Sequence, residues 1–106
     1  VRRAARTDST HLVSERDFAV TVLDLARVYR WRIYHTYLSI RSNPGFPDLV
    51  LVRAPRVVFA ELKTERGKVS TAQCDWHDVL RVCPGVECYI WRPADWDQIV
   101  KILEAA

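Results

Sequence analysis

Three charged side chains stand at the ends of two otherwise apolar runs. Asp48 heads Leu49-Val50-Leu51-Val52-Arg53, while Glu61 and Lys63 close Val57-Val58-Phe59-Ala60-Glu61-Leu62-Lys63. Charges in such surroundings are costly to bury without partners. Two adjacent carboxylates repel unless a proton or a cation lies between them, and a divalent metal ion is the strongest remedy. The chemistry this set offers is therefore oxygen ligation of a hard divalent ion beside a fixed ammonium group. The plainer reading of the same residues is an aspartate at a turn and a Glu–Lys pair on the solvent face of an edge hairpin.

Whether the three meet depends on strand register. The two Val- and Leu-rich runs, separated by Ala54-Pro55-Arg56, read as a β-hairpin. Residues two apart on a strand share a face, so Glu61 and Lys63 point the same way. If Asp48 pairs with Glu61 or with Lys63, it joins them on that face. Pairing with Leu62 turns it away, because a one-residue slip flips every side chain. Asn43-Pro44-Gly45 and Pro47 mark the stretch from Ser39 as a loop that delivers the chain to Asp48.

The remaining segments supply the frame. Ser14 stands in an N-cap position with Asp17 three residues on, and Phe18, Val22, Leu25, Ala26 and Tyr29 recur at helical spacing, predicting a helix over 15–30. Glu15 falls in its first turn, on the side of Phe18 and Val22; by itself it reads as a favourable partner of the helix dipole. Residues 32–38 read as a strand in which His35 either reaches the site or, the favoured reading, packs as a core histidine. Ser70 and Gln73 have capping-box spacing and open a helix running to about Val82, with Ala72, Trp76, Val79, Leu80 and Cys83 as its apolar side. Its N-terminus, with Arg66 and Lys68 just before it, is a natural seat for a phosphate; Gln73, taken alone, simply caps its own helix. Residues 87–92 read as a central strand, and Asp95 with Gln98 caps a last helix that turns Trp96, Ile99, Val100 and Leu103 inward. The order helix–strand–hairpin–helix–strand–helix indicates an α/β sandwich on a mixed sheet, with a right-handed parallel crossover into the last strand.

At 106 residues the chain makes one domain, 1–106, with a single core. Its formal charge of +3, with Arg far outnumbering Lys, is compatible with a nucleic-acid partner and does not demand one. Arg2, Arg3 and Arg6 give residues 1–13 the character of a flexible basic arm. Cys74, Cys83 and Cys88 lack metal-site or disulfide spacing, which points to a reducing, cytoplasmic setting. No apolar stretch approaches a membrane span. The sequence contains no methionine, which leaves open a removed initiator or a segment of a longer chain.

Pro47-Asp48, a hydrophobic strand and Glu61-Leu62-Lys63 together resemble the core of the PD-(D/E)XK nuclease superfamily. More narrowly, Gly45-Phe46-Pro47-Asp48-Leu49 with Phe59-Ala60-Glu61-Leu62-Lys63-Thr64, Gly67-Lys68, Ser70, Gln73, Trp76 and Trp91-Arg92-Pro93 resembles the VRR-NUC branch. The likeness runs from about Glu15 to Leu103. It implies a restriction-endonuclease-like α/β sandwich, an αβββαβ core with a four-stranded mixed sheet and a C-terminal helix. It also implies hydrolysis of DNA phosphodiester bonds with Mg2+ or Mn2+. On this likeness Glu15, Asp48, Glu61 and the carbonyl of Leu62 are the metal ligands, and Asp48, Glu61, Lys63 and Gln73 the catalytic group. Gln73 would position water or the reacting phosphate. Lys63, beside two carboxylates, suits a cation that positions water better than a general base. Arg66, Lys68 and Ser70 are expected to touch nucleic acid. Compact members of the family are linked to phages and to resolving four-way (Holliday) junctions as homodimers, in recombination and repair; members embedded in large repair proteins cut flaps or cross-linked structures. The expectation is therefore a structure-selective, homodimeric endonuclease of four-way junctions. The alternatives are a non-catalytic nucleic-acid-binding module on the same fold and a flap- or restriction-type endonuclease.

Overall fold

The computed structural model describes residues 13–36 and 43–106. Residues 1–12 of the expected arm, 37–38 of the expected first strand and 39–42 of the loop lie outside the described residues. The elements are α1 (Glu15–Val28), β1 (Arg32–His35), β2 (Leu49–Arg53), β3 (Arg56–Leu62), α2 (Thr71–Arg81), β4 (Glu87–Trp91), a 3-10 turn (Pro93–Asp95) and α3 (Trp96–Glu104). The strands form one sheet in the order β1-β2-β3-β4, antiparallel for the first two pairs and parallel for β3 with β4. The fold class is thus α/β with a four-stranded mixed sheet, as the element order indicated. β4, expected as a central strand, is an edge strand among the described residues. Its apolar composition reflects helices covering both faces rather than a neighbour on each side.

Alternation along the strands divides the side chains between two layers. Leu49, Leu51, Val58, Ala60, Leu62 and Trp91 form one continuous core with Phe18, Val22, Leu23 and Ala26 of α1 and with Ile99 and Leu103 of α3. The opposite face carries Phe59, Glu61 and Cys88 toward α2. There Phe46 meets the rings of Phe59 and Trp76 edge-on, at 6.0 and 5.0 Å between centroids. No described helix is long and apolar enough to cross a membrane.

Three local expectations are corrected. α1 ends at Val28, two residues early, because Arg30 takes a left-handed φ of 68°. Trp31 N–H then reaches Ala26 C=O and Arg30 N–H reaches Arg27 C=O, which is a Schellman ending built without the usual glycine. In α2, Val79 is exposed and His77 buried, and Cys83 lies exposed beyond the helix end, so the inward stripe runs through Gln73, Trp76, His77 and Leu80. Asp95 accepts the N–H of Arg92 and so closes the 3-10 turn; its side chain makes no capping bond to α3.

The hairpin is anchored at its turn end, away from Asp48. Arg53 and Arg56 lie over the Trp31 ring, 4.4 and 4.9 Å from its centroid. Both donate to carbonyls at the C-terminal end of α3, and Arg56 forms a two-pronged pair with Glu87 at 2.7 Å. Those partners explain how an arginine pair is tolerated at a tight turn.

Candidate active site

Leu49 pairs with Ala60 and Arg53 with Arg56, so the two-residue turn places Asp48 across from Glu61. The loop before it is pinned by packing. Gly45 has φ +91°, and a Cβ there would lie 2.4 Å from the backbone of Ala72, so only glycine lets this loop approach the first turn of α2. Pro47 is buried, and Asp48 follows with its backbone held by Thr36 N–H and its Oδ2 accepting the N–H of Leu62 at 2.9 Å.

Glu61 is 1% exposed. Its Oε2 accepts from Gln73 Nε2 at 2.7 Å and lies 3.5 Å from Lys63 Nζ, while its Oε1 is buried with no hydrogen-bond partner. Burial first, and the Asp48 carboxylate next, push the Glu61 carboxyl up to about 7, with Lys63 opposing them. A carboxylate so placed is short of positive charge. Lys63 is fixed from both ends, since its N–H donates to Trp91 C=O and its ammonium meets Glu61.

Gln73 performs two tasks at once. Its Oε1 accepts the N–H of Ser70 and its own N–H donates to Ser70 Oγ, completing the capping box. With Oε1 so engaged, the amide can only present its NH2 to Glu61. The plain capping role and the site role are thus the same contact set. Ser70 is exposed at the start of α2, and Arg66 and Lys68 are exposed just before it.

Glu15 stands apart from this group. It is exposed, not turned into the core as its position relative to Phe18 and Val22 suggested. It lines, together with Asp48 and Leu62, an open cleft of about 600 Å³ whose other walls are Arg16, Ala19, Val20, Leu23, His35 and Thr36. Among the described residues no three His, Cys, Asp or Glu side chains lie close enough to share one ion. The structure therefore brings together Asp48, Glu61, Lys63 and Gln73, and places Glu15 on the wall of the adjoining cleft. The pair of hard carboxylates with an orphaned buried oxygen fits Mg2+ or Mn2+, since Mg2+ is commonly held by one or two carboxylates and keeps several waters.

Arg92 is the residue that sequence reasoning missed as a support. Its Nη1 donates to the carbonyls of Thr64, Glu65 and Gly67 at 2.6, 3.2 and 2.8 Å, clamping the loop that joins Lys63 to α2. Its position at the end of β4, parallel to β3, was the available signal. Arg92→Ala is expected to lower the unfolding free energy by about 1–3 kcal/mol, because three carbonyls lose a charged donor. A urea denaturation midpoint would register this, and a midpoint equal to wild type would show that the clamp holds nothing.

His77 and Cys88 form a second pair, with Sγ 3.0 Å from Nδ1. Burial lowers the His77 pKa and raises that of the Cys88 thiol, so both are held neutral. That environment opposes a thiolate nucleophile.

Comparison with family models, with curated proteins and with solved structures finds no match for this chain.

Proposed function

We propose that this chain is a metal-dependent, structure-selective DNA endonuclease. The observation that supports it best is the Glu61 carboxyl, buried against Asp48 with Lys63 and Gln73 on one oxygen and nothing on the other. The resemblance of Pro47-Asp48 and Glu61-Leu62-Lys63 to PD-(D/E)XK nucleases, and of the wider set to the VRR-NUC branch, points the same way.

Asp48 and Glu61 would hold Mg2+ or Mn2+, with the Leu62 carbonyl beside them and Glu15 facing from α1. When bound, the ion supplies an activated water and neutralises charge on the reacting phosphate. Gln73 holds Glu61 in one orientation. Lys63, whose ammonium lies 3.5 Å from Glu61, would set a positive charge beside the reacting phosphate. Arg66, Lys68 and the N-terminal turn of α2 would take a flanking phosphate. With no groove-reading element among the described residues, contacts of this kind recognise shape rather than sequence. Four-way junctions are the favoured substrate, and paired cuts across a junction call for a homodimer.

The test is cleavage of labelled four-way junctions, flaps, linear duplex and single strands with Mg2+, Mn2+ or EDTA. Metal-dependent cuts that favour the branched substrates are expected. DNA bound but never cut in either metal would instead indicate a binding module. Lys63→Arg is expected to retain a substantial part of the rate while Lys63→Ala loses it. Equal loss in both variants, measured as single-turnover rates, would argue that Lys63 does more than supply charge.

A further inference from the structure

We propose that the half of the sheet left bare beside α2, together with the outer side of α2, is the surface through which two copies of this chain pair about a two-fold axis. The inference takes nothing from the carboxylate cluster. It goes beyond the nuclease reading and supplies the contact that a homodimer needs.

A sheet that is apolar on both faces has to bury both. The core face of this one is covered by α1 and α3. The other face is covered on one side only: His77 of α2 meets Cys88 of β4, and Trp76 reaches Phe59 of β3 through the Phe46 ring. Among the described residues no helix packs closely over β1 and β2 on that face. The register sets Arg32, Val52 and Val57 in one row across it and Tyr34, Val50 and Phe59 in the next. Tyr34 is 63% exposed and Val52 is exposed as well, with Val50 and Val57 half-buried beside them. Apolar side chains adjacent in register form a patch, unlike the single exposed residues that are ordinary on any surface.

The shape of this face is self-complementary. α2 is a ridge roughly 16 Å long and about 10–12 Å high, and the bare strands form a step of that depth beside it. Under a two-fold axis the ridge of each chain fills the step of the other, and every contact occurs twice. The chemistry matches in the same way. Val79 stands one turn from Trp76, on the side of α2 that overlooks β2, and Val82 beyond it is 79% exposed. Asp75 and Asp78 are exposed on the outer side of α2, and Arg32 is exposed on the bare strands. The two-fold lays valine and tyrosine on valine, and brings Arg32 of each chain to the acidic side of the other's α2. One arginine amid apolar side chains gives a phosphate backbone little to hold, so a protein surface is the fitting occupant. The outer half of α2 and the bare strands together offer roughly 500 Å² per chain, about 1,000 Å² in all, the lower end for a specific interface. Pairing of micromolar strength follows.

Sedimentation velocity without DNA or metal, over roughly 1–300 µM protein, tests this. Wild type is expected to pass from monomer to dimer across that range and to go no further. Arg32→Asp sets like charges together at both contacts, as does Asp75→Arg combined with Asp78→Arg, and each variant is expected to weaken pairing at least about tenfold. Mixed in equal amounts, the two variants face opposite charges again at both contacts and should dimerise as wild type does. Tyr34→Ala, which removes the largest exposed apolar side chain of the patch, is expected to weaken pairing about tenfold or more. All these positions are exposed, so the core is left intact. A wild type that stays monomeric, whether the face stays wet or residues 1–12 lie on it, overturns the interface. So does association beyond a dimer, a dimer that the charge variants leave unchanged, or a mixture that does not recover. Cleavage is assayed separately: a monomer that cuts DNA keeps the nuclease reading and removes the interface, and a dimer that cuts nothing does the reverse.

Discussion

Asp48→Asn is expected to leave the fold intact and to lower metal-dependent cleavage by about 10³-fold or more, the scale on which removing a preorganised charge acts. The substitution is informative because Asp48 has a structural bond as well as a charge. Its Oδ2 accepts the N–H of Leu62, a residue that is 1% exposed. An asparagine carbonyl can take over that bond, so the amide is not stranded and only the charge is lost. Asp48→Ala removes both, and a buried amide left without an acceptor costs about 1–3 kcal/mol. The two variants should therefore agree in activity and differ in stability. Single-turnover cleavage across a Mn2+ titration, set beside urea denaturation, separates these effects. Asparagine activity within about tenfold of wild type would mean that the carboxylate charge holds no ion, since one lost ligand charge normally costs more.

How much of this arrangement the sequence shows can be followed residue by residue. The hairpin and its charged ends were readable, because two β-branched runs around a proline leave little else to form. The register was not. Three pairings were open, and the choice fell to a turn of two residues, with Arg53 opposite Arg56. That pairing is held by arginine contacts to Trp31 and to the end of α3, about fifty residues away in the chain. The inward stripe of α2 was misread by hydropathy. His77 counts as polar, yet it is buried against Cys88, while Val79 next to that stripe faces solvent. The end of α1 was misplaced because a left-handed residue is ordinarily announced by glycine, and here it is Arg30. Gln73 shows the opposite case. Its capping role was fully visible, and that role fixes the amide that meets Glu61. Of the Arg92 clamp only the place of Arg92 at the end of β4 is legible, because its partners are backbone carbonyls, which carry no residue identity.

The second large effect concerns stability in the absence of metal. Burial and Asp48 raise the Glu61 carboxyl from the ordinary 4.5 to about 7. A carboxyl raised in the folded state favours folding fully below its unfolded value and loses that contribution as pH rises through the folded one. Between about pH 4.5 and 7, each pH unit is worth about 1.4 kcal/mol, so roughly 3 kcal/mol is lost across the window. Glu61→Gln keeps the shape and the acceptor for Gln73 but cannot ionise. In EDTA the variant is expected to match wild type near pH 4.5 and to exceed it by about 3 kcal/mol above pH 7. Other groups also titrate. The lowered His77 makes stability rise with pH through the ordinary histidine range, and the Glu87 carboxyl, lowered by its bond to Arg56, loses stability only in acid. Both are common to the two proteins and cancel in the difference. Chemical denaturation at a series of pH values measures that difference directly, and a flat line would show that Glu61 ionises like an exposed carboxylate. Divalent ion should then close the gap above pH 7 by stabilising wild type, through preferential binding to the folded state, and do little near pH 4.5. On this reading, the group that weakens the metal-free protein is the one that a cation would neutralise: stability is lost where ion binding restores it.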